Sequence, residues 1–338
     1  MSTTWLAVTP LDTIMVRDGR PFDAGAASTA RSVAPAPNTL GGVVRAALGR
    51  DAGRILGPIV STEHEIVFPA PRDIVRDEQT VRRLSMVERA DTAVSDLDDR
   101  HRLSHHLAGD GEPVLSDWIT RQGLRGWLTG AIAAGRNMVA PPLRTDPAWV
   151  PENRLGLARH WSGPQTGAAA PGLLYAMTQL RPRDDTRFLV GCVDDQPIEI
   201  RDELVPFGGR GRLAEVTGDV TGEVLPPAPE DFPGGRLAVY LATPALLTSP
   251  FWSPPEATLA AVAVGSPQPV PSASPRGDFS GSRVLAWAVP AGSVFYLTFN
   301  PPDGAKRWAT RYHGKLIPNQ SSLPIVTTGF GTCLTGRW

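Results

Sequence analysis

The sequence predicts an α+β protein. Strand-like segments occur near both ends of the chain, a few separated helical patterns lie between them, and turn formers are abundant, with 34 Gly and 34 Pro among 338 residues. Strands before and after scattered helices favour α+β over a regularly alternating βαβ chain. The length suits about two domains with real cores.

Along the chain, Thr4–Pro10 and Thr13–Arg17 read as strands. Leu40, Val43, Val44, Ala47 and Leu48 then recur at i, i+3, i+4, i+7 and i+8, the apolar face of a short helix. Asn38 or Thr39 can cap its start and Gly49 its end. Gly41 and Gly42 in its first turn are poor helix formers, each costing roughly 1 kcal/mol against Ala. Two readings explain them. They allow close approach of another backbone or of a phosphate at the helix N-terminus, with Arg45 adding charge one turn on, or they let the helix pack against its own sheet.

Helical patterns are also expected in the charged stretch around Val75–Leu103 and at Leu115–Leu128. The charged block from Arg72 to Asp117 reads as an insertion. Strands follow at Phe188–Val193, Gly235–Pro244, Ser282–Val289 and Ser293–Phe299, and Pro290-Ala291-Gly292 reads as the turn of a hairpin joining the last two. The Pro/Gly-rich segments Val224–Gly235 and Ser266–Ser282 read as a linker or long loops.

The composition is that of an ordinary globular chain, 41% hydrophobic and 20% charged, with no apolar run near the roughly 20 residues that span a bilayer. The N-terminal residues show neither the basic nor the apolar region of a secretory signal, so a cytoplasmic location is expected. Cys192 and Cys333 are too few and too far apart for a disulfide framework or a zinc site. The net charge of −1 argues against indiscriminate coating of nucleic acid. Charge is nonetheless uneven: Pro301–Trp338 carries five cations against Asp303 alone, whereas Asp194–Asp231 carries ten acidic residues against Arg201, Arg210 and Arg212.

Several islands of sequence resemble one family. Pro10-Leu11-Asp12, Arg17-Asp18-Gly19-Arg20-Pro21-Phe22, Ala24-Gly25 and Pro37-x-Thr39-Leu40-x-Gly42-x-x-Arg45 are similar to the N-terminal signature of the third subunit of the type III-B CRISPR Cmr effector complex, a member of the RAMP superfamily. Asn153-Arg154-Leu155-Gly156-Leu157 with Gly172-Leu173-Leu174-Tyr175, the loop Gly208-Gly209-Arg210-Gly211-Arg212, Val289–Val294 and Gly329-Phe330-Gly331 continue the resemblance in the family's order. Three departures are visible. Arg210 stands where a glutamate is usual, Ser280-Gly281-Ser282-Arg283 matches only half of its motif, and Arg159-His160-Trp161 is loose.

The resemblance implies two ferredoxin-like (RRM-like) halves, residues 1–190 with an insertion at about 72–117, and residues 191–338. It implies a non-catalytic crRNA-binding subunit of an RNA-guided antiviral complex, one that holds the repeat-derived 5′ tag of the crRNA. Its partners would be the large polymerase-like subunit, the backbone RAMP subunits and, through the complex, target RNA. The RNA contacts carried over are Arg17, Asp18, Gly19, Arg20, Pro21 and Phe22, then Thr39, Gly41, Gly42 and Arg45, then Asn153 and Arg154, then Gly208, Gly209, Arg210, Gly211 and Arg212, and finally Gly329, Phe330 and Gly331. Glycine-rich loops, a helix N-terminus and dispersed arginines can hold a bent single strand.

The alternatives are a metal-independent RAMP ribonuclease and a purely architectural subunit. His160 and His313 are the two candidates for a general base, and His101, His105 and His106 are read as a solvated helix. No nucleophile motif or P-loop is present, so no enzyme activity, cofactor or metal is expected. Among the nine tryptophans, Trp118 and Trp127 read as core, while Trp252 and Trp308 read as loop residues open to an interface.

Overall fold

The computed structural model describes residues 3–17, 30–62, 65–77, 80–89, 103–114, 118–132, 135, 143–144, 148–160, 162–183, 185–272 and 284–338. The chain opens with β1 (Thr3–Pro10) and β2 (Ala30–Arg31), followed by helix α1 (Pro37–Leu48). Strands β3 (Arg54–Thr62), β4 (Glu65–Pro69), β5 (Ile74–Asp77), β6 (Thr80–Arg83), β7 (Ser85–Glu88), β8 (His105–Ala108), β9 (Glu112–Pro113) and β10 (Trp118–Thr120) lead into α2 (Arg121–Leu128). Next come β11 (Leu143–Arg144), β12 (Trp149–Arg159), β13 (Ala169–Pro182), β14 (Arg187–Val193), β15 (Leu204–Pro206) and β16 (Leu213–Thr217). The last part holds β17 (Arg236–Leu241), β18 (Ala257–Ala263), β19 (Gln268–Ser272), β20 (Val284–Ala288), β21 (Val294–Phe299), α3 (Asp303–Tyr312), β22 (Lys315–Leu316) and β23 (Thr332–Gly336).

Two large antiparallel sheets dominate. The first has the order β11-β10-β4-β3-β14-β1-β16-β15 and the second β18-β21-β17-β23-β22. The strand alternation of two sorts their side chains into layers. In β1, Leu6 and Val8 face α1, while Ala7 faces the space between the sheets. In β17, Ala238 and Tyr240 enter that same space, while Leu237, Val239 and Leu241 pack with Ala305, Trp308 and Ala309 of α3. The result is four layers, α1, sheet, sheet and α3, with α2 contributing Leu124, Trp127 and Leu128 to the shared middle core. The mixed, strand-rich α+β class is as expected. The expected division at residue 190 falls inside β14, and β15 and β16 pair into the first sheet.

Several local expectations change. Where described, the stretch expected to be helical from Val75 to Leu103 is strand, β5 to β7, and Val75 and Val81 are buried. The helix expected at Leu115–Leu128 starts only at Arg121, because Trp118–Thr120 pairs with β4 and Thr120 accepts the capping hydrogen bond from the Gly123 amide. Thr13–Arg17 forms isolated bridges in place of a strand. Gly292 does take a positive φ of 83°, but the strands it separates belong to different sheets, β20 pairing with β19 and β21 with β17 and β18. α3 has no clear signature in the sequence. Its apolar positions Ala305, Trp308, Ala309 and Tyr312 span only two turns behind Pro301-Pro302, too short a pattern to stand out.

Trp252 and Trp308 are buried against one another and Phe295, in the core and not at a surface. Both cysteines are free and buried, which pushes each thiol up to about 12. Among the described residues no helix is long and apolar enough to cross a membrane.

Candidate nucleic-acid interface

Strands β12 and β13 form a long antiparallel hairpin, and their alternation divides it into two faces. Glu152, Arg154 and Gly156 lie opposite Gln179, Met177 and Tyr175 on one face. The other carries Asn153, Leu155 and Leu157 opposite Thr178, Ala176 and Leu174, with Leu155 80% and Leu174 65% exposed. On the first face Gly156 has a specific purpose. A Cβ there would sit 2.1 Å from the Tyr175 ring, so the ring occupies the place a side chain would take.

The segment after β1 joins this hairpin to the loop at 208–212. Ile14 exchanges backbone hydrogen bonds with Leu180 of β13, and the Met15 carbonyl accepts from the Gly209 amide at 2.8 Å. Gly208, at φ 76°, permits that approach, since a Cβ would lie 2.5 Å from the Met15 oxygen. Leu11 donates its amide to Leu213. The segment is therefore clasped between a hairpin and a glycine-rich loop nearly two hundred residues further along the chain.

Four arginines meet there. Arg212 pairs with Asp12 and donates to Gln179 Oε1 at 3.1 Å, the same oxygen that accepts from the Thr13 hydroxyl. Arg154 donates to Glu152 at 2.6 Å, Arg181 pairs with the other oxygen of Glu152, and both guanidinium groups approach Asp12 at 3.9 Å. Arg210 donates to the Tyr175 hydroxyl at 2.9 Å, and its guanidinium lies 5.3 Å from the ring centre. The hydrogen bonds from Arg181 and Arg154 hold Glu152 at a pKa of about 2. The Thr13 amide, and then the surrounding arginines, hold Asp12 below the usual range despite some burial. Both carboxylates stay ionised at neutral pH, and the four cations outnumber them two to one. Arg31 of β2 adds a further exposed cation on the strand beside β13.

Of the residues carried over by resemblance, Arg154, Gly208, Gly209, Arg210, Gly211 and Arg212 are thus brought into one face, with Asn153 on the reverse of the same hairpin. Arg17 lies beside it, bridged to Ser32. Asp18, Gly19, Arg20, Pro21 and Phe22 fall outside the described residues, as do Ser280–Arg283. Sequence reasoning misses Glu152, Gln179 and Arg181, although the alternation of β13 from Tyr175 through Met177 places Gln179 and Arg181 on the same face.

A second group gathers at the start of α1. The cap is Ala36 with Pro37 in the first turn, and Asn38 instead reaches the Pro271 carbonyl at 3.2 Å. Gly41 is buried, and a Cβ on it would meet Thr328 at 2.8 Å, while Gly42 faces open space. Thr39 is half-buried, and Arg45 is exposed and pairs with Asp51 at 3.3 Å. Gly329, at φ 110°, lies against the Gly57 carbonyl and Pro37. Phe330 is fully buried with Leu246, Val270 and Ala288, and Gly331 turns the chain at φ 76°. The Phe330 ring therefore presents no face to a base.

The histidines are dispersed. His313 is half-buried, accepting at Nδ1 from the Thr335 amide at 2.9 Å and meeting the Pro226 carbonyl at Nε2 at 2.8 Å. His160 lies just past β12 in the turn toward β13. His105 and His106 are in strand β8, in place of the solvated helix expected, and His101 lies outside the described residues. Among the described residues no three His, Cys, Asp or Glu side chains gather as metal ligands.

No curated protein matches the chain. Two solved structures are similar in fold. A chain in the cryo-EM structure of the type III-B Cmr-beta complex bound to cognate target RNA aligns with a TM-score of 0.53 at 16% identity, covering 97% of this chain and 96% of that one. A chain in the complex bound to cognate target RNA and AMPPnP aligns with a TM-score of 0.50 at 15% identity, covering 86% of each. The family described as CRISPR-associated protein (Cas_Cmr3) matches residues 6–338. With that match over nearly its whole length, the chain belongs to the Cas_Cmr3 family, the third subunits of type III-B Cmr effector complexes.

Proposed function

We propose that the chain is the non-catalytic subunit that holds the repeat-derived 5′ tag of the crRNA and bridges the large polymerase-like subunit to the backbone subunits. The observation that carries this is the convergence of three sequence-remote motifs, through Asp12, Arg154 and Gly208–Arg212, on one arginine-rich face. Carboxylates hold the guanidinium groups apart, and a backbone carbonyl and a glutamine fix the loop, so the cations are ordered before a ligand arrives. Such a face suits the phosphates of a single strand, where charge supplies affinity and little sequence information. The two sheets, each antiparallel with a helix packed on its outer face, are in keeping with two ferredoxin-like halves.

The test uses the full chain and a tag-bearing crRNA titrated at several salt concentrations. Arg20→Ala, Arg45→Ala, Arg154→Ala and Arg212→Ala should each weaken binding. Removing one phosphate-binding cation should flatten the salt dependence by roughly 0.7 on a logarithmic scale. Arg76→Ala, on β5 in the insertion, should bind as the wild type does. Unchanged affinity and slope in all four variants, at normal melting temperature, would make these motifs architectural.

A further inference from the structure

Arg154, Arg181 and Arg212 each face a carboxylate, whereas Arg210 pairs with none among the described residues. Its partners are the neutral hydroxyl and ring of Tyr175. Tyr175 is itself fixed by Gly156, whose missing side chain receives the ring. Arg210 also holds a left-handed backbone, φ 62°, between Gly208 at 76° and Gly211 at 67°. Glycine would take that conformation freely, so a long cationic side chain there costs stability that packing does not return, since the residue is exposed.

We propose that Arg210 and Tyr175 form a stacking platform for one nucleobase of the bound RNA strand. The Arg210 guanidinium is exposed at the hydroxyl edge of the Tyr175 ring, and a planar, weakly hydrated cation stacks on a base as readily as on a ring. Arg210 thus differs in kind from its neighbours. They serve the phosphates, and it serves a base, which fixes the position of one nucleotide relative to the loop. The platform accepts a single-stranded, unstacked nucleotide, because a base already paired within a helix has no free face. This inference rests on the reading that the arginine-rich face holds RNA, but not on which RNA segment lies there.

The test measures binding of the full chain to a fluorescent single-stranded RNA and to a series in which each position in turn is abasic. One abasic position should lower wild-type affinity roughly fivefold or more, the range of a base stacked on protein. In Arg210→Gly, which suits the positive φ, that position should lose its effect. Arg210→Lys should keep the salt dependence of wild type without restoring the abasic effect, and Tyr175→Phe should retain the effect where Tyr175→Leu loses it. The same abasic profile with and without Arg210, at equal melting temperatures, overturns the platform even if tag-bearing RNA binds in preference. An Arg210-dependent profile on tag-bearing and unrelated RNA alike upholds the platform and removes the tag reading. No binding of any RNA removes both.

Discussion

At the scale of single residues, Asp73 is held by three side chains at once. It is fully buried, and its carboxylate accepts from Arg83 Nε at 2.6 Å, Trp127 Nε1 at 3.0 Å and the Tyr296 hydroxyl at 2.7 Å. The Arg83 guanidinium lies 4.4 Å from the Trp127 ring centre. Asp73→Ala leaves a buried cation unpaired, so denaturant unfolding should show a loss of about 3–5 kcal/mol. A loss below about 1 kcal/mol would mean that Arg83 finds water or another partner. His313 supplies a pH dependence. Its Nδ1 already accepts the Thr335 amide, so Nε2 carries the proton toward Pro226, and burial lowers the pKa from the ordinary 6.5. A depressed folded pKa means that the unfolded chain binds the extra proton first. The contribution of His313 is therefore complete above about pH 6.5 and is lost as pH falls through that value toward the folded pKa. Melting temperatures from pH 8 to 5 should fall less steeply for His313→Gln than for the wild type.

Among the elements, α1 resolves the question raised by its paired glycines, and each answers differently. Gly41 is buried against Thr328, where a Cβ would come within 2.8 Å of that side chain, so Gly41→Ala should destabilise the protein although alanine is the better helix former. Gly42 faces open space, so Gly42→Ala should stabilise by about 0.5–1 kcal/mol. Thermal melts of the two variants should move in opposite directions, and a parallel shift would contradict this assignment. The reading that the first-turn glycines serve close packing thus applies to Gly41, whose nearest neighbour is Thr328 of the C-terminal segment, with Ile55 of β3 next. The hairpin β12–β13 makes a complementary point. Its strand alternation is regular, yet one face leaves Leu155, Leu157 and Leu174 in solvent, so the pattern alone marks a strand without showing which side is covered.

Across the whole molecule, the two large sheets share one interior. Ala7, Ile59 and Phe68 from the first meet Tyr240, Tyr296 and Leu334 from the second, with Trp127 of α2 between them. Polar ties cross the same boundary. The Tyr240 hydroxyl donates to the Pro69 carbonyl at 2.6 Å, the Gly57 amide donates to Thr332 Oγ1 at 2.9 Å, and Asp73 binds Tyr296. Separating the sheets would expose apolar surface and strand these polar groups together. The chain should accordingly unfold in one cooperative transition, with calorimetric and van't Hoff enthalpies in agreement. Two resolved transitions would show that the sheets fold as independent units.

What the sequence determined by itself was local or ordered along the chain. Alternation located β1, β14, β17 and β21, one apolar face and Gly49 bounded α1, and the order of the motif islands identified the family. The tertiary structure decided what depends on partners far apart in the chain. The charged stretch that holds Arg83 reads as helical because a local pattern assigns a charge to solvent until its partner is known, and that partner, Asp73, lies across a strand pairing no local pattern records. Phe330 resembled a ligand contact and is core, because burial is set by the segments packed around it. Arg154, Arg210 and Arg212 form one face only because the segment after β1, β13 and the loop at 208–212 are hydrogen-bonded side by side, and such long-range pairing is fixed by the collapse of the whole chain rather than by the residues on either side of each arginine.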